Sequence, residues 1–226
     1  MAINKIDFDQ FMNQARVTLV GASEAGLRGA LYDTLAEFFN DSSSWTQDVV
    51  VSAVPTRTDY PLVVPEGQII RLVGVTTPPP VQGTTINPLP QGLFIPALMA
   101  DVGTLQLARA PSTACQYVAT VVTNVSLPTA KDQMPIAPSW VLPIWHVGIL
   151  DGLLGKMMIQ PAKSYSNTAQ GAYHLKRFRD AIARARVSKL RANTNGSAAW
   201  RFPQGFRTSN QQGGVPSVGS TNDRIF

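Results

Sequence analysis

Residues 143–187 read PIWHVGILDGLLGKMMIQPAKSYSNTAQGAYHLKRFRDAIARARV, and two helices joined by a short loop account for them best. The first helix is expected from Ser139 to about Met158, stopped near Pro161. Its apolar run is interrupted by Pro143, His146, Asp151 and Lys156. It therefore falls short of the ~18 clean apolar residues of a membrane span and reads as a buried helix. Asn167, with Gln170 three residues on, looks like the N-terminal capping pair of the second helix. Wound at 3.6 residues per turn, Leu175, Phe178, Ile182 and Ala185 fall on one stripe. Lys176, Arg177, Arg184 and Arg191 fall on the opposite side, and Arg179 and Arg186 flank the stripe. Residues 174–191 hold seven of the chain's nineteen Lys and Arg and a single acid, Asp180. The cations crowd the C-terminal half, where the helix dipole favours them. Such a helix docks on a core through its apolar face, and its basic face is open to solvent, protein or phosphate.

Upstream, Phe8, Phe11 and Met12 mark a weakly amphipathic opening over residues 6–20. Ser23 is placed to cap a helix running to about Asn40, with Leu27, Leu31, Leu35 and Phe38 on one side. The DSSSW stretch, residues 41–45, ends it. From about 47 to 130 the chain changes character. Fourteen of seventeen prolines lie between Pro55 and Pro143, which rules out long helices there. Runs such as DVVVSAV, QIIRLVGV and YVATVVTNVSL predict short strands of a small sandwich or barrel. Residues 76–92, TTPPPVQGTTINPLPQG, read as a loop or protruding hairpin. The expected architecture is α+β. Residues 1–46 and 139–192 form one helical bundle, residues 47–138 an inserted β domain, and residues 193–226 an extended C-terminal arm. The arm is rich in Gly, Asn and Ser, yet Trp200, Phe202, Phe206 and Phe226 are spaced along it like anchors. At ~3.3 Å per residue it could reach on the order of 100 Å, and it reads as a segment that orders on a partner.

Composition bounds the function. Hydrophobic residues make up 44% of the 226, enough for a real core and against overall disorder. Cys115 is the only cysteine, so no intramolecular disulfide forms and a reducing compartment is expected. The start, MAINKIDFDQ, lacks an apolar signal segment, so the three Asn-x-Ser matches at Asn40, Asn124 and Asn195 carry little meaning. Residues 1–155 hold 7 basic and 12 acidic side chains, a net −5, whereas residues 156–226 hold 12 and 2, a net +10. A chain acidic in front and basic behind fits nucleic acid, acidic proteins or copies of itself.

Catalytic chemistry finds little support. Two histidines, His146 and His174, and one cysteine write no zinc site of familiar spacing, and no Walker, Rossmann, HExxH or GxSxG pattern occurs. Asp7 with Asp9, or Asp132 with Asp151, are better explained as surface charge or capping than as carboxylate pairs. His146, amid apolar neighbours, reads as a satisfied core or interface histidine. Aromatics are not interleaved with the cations of the last helix, which argues against single-strand binding. No enzyme, cofactor or metal is expected.

Four stretches taken together resemble the head-to-tail adaptor (connector) proteins of tailed bacteriophages, especially short-tailed ones. They are SEAGLRGALYDTLAEFFNDSSSW, the Pro-bounded strand pair YPLVVPEGQIIRLVGV, the two-helix stretch quoted first, and WRFPQGF at the start of the arm. Phe39 stands where the family commonly has cysteine, and Tyr165 where it commonly has tryptophan. The resemblance implies a non-enzymatic ring, typically of twelve copies, in the virion at the head–tail junction. It would be assembled in the host cytoplasm and would lie beneath the portal protein, joined to the tail or nozzle. The genome DNA would pass through its channel without specific binding, and no membrane is involved. A channel that passes DNA should not grip it, so the basic face is expected against portal or neighbour. The residues expected at that interface are Arg177, Arg184, Arg191, Trp200, Arg201, Phe202 and Phe206. The alternative is a DNA-binding protein acting through residues 174–191.

Overall fold

The computed structural model describes residues 8–77, 93–126 and 134–193, with the backbone alone at residues 9, 10 and 191–193. Among them two helices come first, α1 (Asp9–Thr18) and α2 (Glu24–Ser42). Seven strands follow: β1 (Thr46–Ala53), β2 (Asp59–Pro61), β3 (Gln68–Thr76), β4 (Phe94–Ile95), β5 (Ala97–Asp101), β6 (Thr104–Leu107) and β7 (Cys115–Asn124). The order closes with α3 (Val141–Met158) and α4 (Thr168–Asn193). Residues 78–92 and most of the 193–226 arm lie outside the described residues.

Local chemistry sets the helix ends where the sequence put them. The Ser23 side chain accepts from the Gly26 N–H at 3.2 Å, and Ser43 closes α2 in the left-handed region. Asn167 Oδ1 accepts from the Gln170 N–H at 3.1 Å and opens α4. Leu27, Leu31, Leu35 and Phe38 are all buried in one helical core with Phe8, Phe11 and Met12. Each such side chain contributes about 1.5–3 kcal/mol of burial free energy. Phe39 joins them, with its ring 5.2 Å from Trp45 and 6.2 Å from Trp140. Arg16 and Arg28 both hold Glu24, tying α1 to α2. The hydrogen bond from Arg16 holds the Glu24 carboxyl below its ordinary range.

α3 lies at the centre of this core because one of its faces lacks side chains. A Cβ at Gly152 would fall 2.5 Å from Thr34 Cγ2 of α2 and 2.8 Å from the Phe178 ring of α4. At Gly148 it would fall 2.5 Å from Ala181 Cβ, and at Gly155 2.8 Å from the Leu175 side chain. α3 is long and apolar enough to cross a membrane by length and composition, but more than half of it is buried against its neighbours.

The strands form two antiparallel sheets, β1-β7-β3-β4 and β2-β6-β5. Val51, Val75, Ala119 and Val121 of the first share a second core with Tyr60, Leu105 and Leu107 of the other and with Leu62 just after β2. The two faces pack as an open sandwich, so of the two expected forms no closed barrel is built. Burial pushes the Tyr117 hydroxyl in this core up to about 12. The YPLVVPEGQIIRLVGV stretch is corrected in one respect. Its two strands, β2 and β3, do not pair with each other but belong to different sheets. The chain crosses between them before Gly67, whose φ of +81° suits glycine and whose missing Cβ would fall 2.9 Å from the Trp45 ring. The sheets are tied to the helices by Asn124 Nδ2 donating to Ala36 O at 3.0 Å and Lys189 Nζ donating to Thr46 Oγ1 at 2.7 Å.

Candidate interaction surface

α4 docks as its periodicity requires, with Phe178, Ile182 and Ala185 buried and Leu175 half-buried. Five of the cations around that stripe fall into three groups, and Lys176 stands exposed outside them. Lys189 is engaged with Thr46. Arg177 and Arg184 border a groove of about 540 Å³ between α4 and the N-terminal half of α3. Arg179 and Arg186 border another, of about 630 Å³, on the side of α2 and β3.

The first groove is built around an acid that the sequence reading placed at the surface. Asp151 is only 5% exposed. His174 Nδ1 donates to its Oδ1 across 2.8 Å, and Arg177 Nε lies 3.1 Å from Oδ2. The surface-or-cap reading of Asp151 is therefore corrected. A buried carboxylate requires compensation, and here two α4 side chains, one turn apart, supply it. Arg177 also stands over the Tyr173 ring at 5.7 Å and keeps 44% of its side chain exposed. Its first carboxylate is thus one from its own chain, not from a neighbour. Arg184 and Asp180 complete the charged wall. The opposite wall is apolar and open, with Ile144 62% and Val147 57% exposed. His146 sits beside them with its ring edge-on to Phe11 at 5.5 Å, as a packed aromatic.

Exposed aliphatics beside an arginine fixed by a buried acid resemble the make-up of protein-binding patches. Among the described residues no cluster of three or more His, Cys, Asp or Glu could hold a metal ion. Arg191 lacks a described side chain, and Trp200, Arg201, Phe202 and Phe206 lie outside the described residues, as do Asp7 and Asp132. The Asp151 network was invisible to sequence reading, because its partners are 23 or more positions away on another helix.

No curated protein matches the chain. A family model described as SU10 adaptor protein matches residues 6–201, a span that takes in all four helices' cores and both sheets.

Proposed function

The chain belongs to the SU10 adaptor protein family, and from that membership we propose that it is a structural head-to-tail adaptor of a phage virion. Copies form a ring of twelve beneath the portal; the ring joins the portal to the tail and continues the channel for the genome. The observation that carries this reading is the length of the family match, residues 6–201, which takes in every described helix and strand. The open groove of Ile144, Val147, Arg177 and Arg184 supports a protein partner on the α3–α4 side. The C-terminal arm, with Trp200, Phe202 and Phe206, supplies a further anchor to portal or neighbour.

The rival reading, duplex binding through residues 174–191, loses ground on one point. Arg177 and Lys189 are already engaged within the chain, and Arg184 borders one groove while Arg179 and Arg186 border another. A reconstruction of the head–tail junction tests the proposal. The expected density is a closed ring of this chain between portal and tail. A single copy, or a position on the outer capsid, overturns it.

A further inference from the structure

The second groove carries an assignment of its own. Arg71 from β3 and Arg179 and Arg186 from α4 border it, with Asp41 the only acid and Ile182 and Val187 supplying apolar surface. Neither Arg179 nor Arg186 makes an ion pair or side-chain hydrogen bond with a described residue, while Arg71 reaches the Ser43 hydroxyl. Three guanidinium groups facing one carboxylate repel one another in the isolated chain, and an incoming acid relieves that repulsion. The planar fork of arginine binds carboxylate bidentately, and the volume, about 630 Å³, accommodates a short loop. A duplex is a convex rod whose phosphates meet protruding cations, and it has no use for the Ile182 and Val187 surface.

The complement is present on the same chain, in the other sheet. The β5–β6 hairpin turns at Asp101, Val102 and Gly103, where Gly103 takes a φ of +81°. Asp101 is exposed, its carboxylate accepts among the described residues only from the Val102 N–H next to it, at 2.7 Å, and Val102 is 62% exposed. An acid beside a bare aliphatic on a tight turn matches a groove of arginines with an apolar floor. The tip belongs to β2-β6-β5 and the groove borders β3 of the other sheet. Two different patches that complement each other generate a head-to-tail contact, which closes into a ring when the rotation permits.

Resting on the adaptor reading, we propose that this groove receives the Asp101–Gly103 hairpin tip of a second copy of the chain, with Arg71, Arg179 and Arg186 holding its carboxylate. The test uses the full chain carrying Val102→Cys at the tip and Ala183→Cys at the groove, which leave Asp101 and the arginines in place, assembled on the portal and treated with a short bismaleimide. Native Cys115 is buried and stays out of the reaction. A ladder of covalent multimers is expected, and each single-cysteine variant should remain at the mass of one chain. In parallel, Arg179→Glu with Arg186→Glu should lower adaptor incorporation about tenfold or more, and adding Asp101→Arg should restore it. Both arginines are exposed, and circular dichroism should find the reversed chain folded. Adaptors incorporated at the junction without any ladder would overturn the tip-to-groove contact and leave the adaptor reading intact. Wild-type chain absent from the junction would instead overturn the adaptor reading. Reversed chains that incorporate normally but lose retention of duplex DNA would assign the groove to phosphate.

Discussion

Asp151 shows what a single residue can hide. Replacing it with Ala would leave His174 and Arg177 without their acceptor and is expected to lower stability by ~1–3 kcal/mol, read from the urea midpoint at constant slope. Arg184, which has no partner among the described residues, should tolerate Glu with a stability change within ~0.5 kcal/mol. Arg184→Glu is therefore the cleaner probe of docking, since Arg177→Glu would also disturb the fold. Sequence reading found both arginines but took Asp151 for surface charge, because a helical wheel of α3 cannot see which α4 side chains lie across from it. Glu24 offers a second residue-scale test. The Arg16 hydrogen bond depresses its carboxyl below 4.5, so its contribution is present above that pH and is lost as the pH falls through the lowered value. Glu24 is well exposed, and solvent screening limits the effect to about 0.2–1 kcal/mol. Melting temperatures of wild type and Glu24→Gln should converge in acid and separate toward neutral pH, and a constant gap would contradict this.

Among the elements, the glycine face of α3 is the most constrained. Gly152→Ala would drive a methyl group into Thr34 and Phe178 and should cost ~1–3 kcal/mol, unless the two helices shift apart. Gly29, in α2, is the matched control, since a Cβ there meets nothing within 4 Å. Gly29→Ala should raise stability by ~0.5–1 kcal/mol, the ordinary helix-interior difference. Thermal melts of the two variants should therefore move in opposite directions. The helices were legible in the sequence because a stripe such as Leu27, Leu31, Leu35 and Phe38 repeats over several turns and Ser23 and Asn167 mark the starts. β1, β3 and β7 were legible as β-branched runs. β5 and β6 were not, because four to five residues are too few to show alternation. Pairing was less legible still: β2 finds its partner in β6, beyond the whole of β3. The 3.6-residue period reports burial within one helix, but nothing local reports which strand lies alongside.

At the scale of the whole molecule, the order helix, sheet, helix was legible from the distribution of prolines, and the docked face of α4 from its stripe. The division of α4's cations between two grooves was not, because it depends on where α2, α3 and β3 meet that helix. Among the described residues, the buried side chains that form both cores all precede residue 190. Deleting residues 194–226 should therefore leave the melting temperature unchanged while abolishing co-sedimentation with portal; equal co-sedimentation would refute the anchoring role of the arm. The pairing of β1 with β7 has a consequence for synthesis. Gln47 reaches Thr123, 76 positions later, and closing a loop of that length costs roughly 4 kcal/mol before the sheet compensates it. The helical core waits longer still, because α1 and α2 need α3 and α4 from beyond β7. At ~5–20 residues per second, the ribosome holds those first two helices with bare apolar faces for on the order of 10 s or more. A growing chain thus has no finished docking surface to offer, and chaperone cover for residues 8–42 should be needed until translation ends.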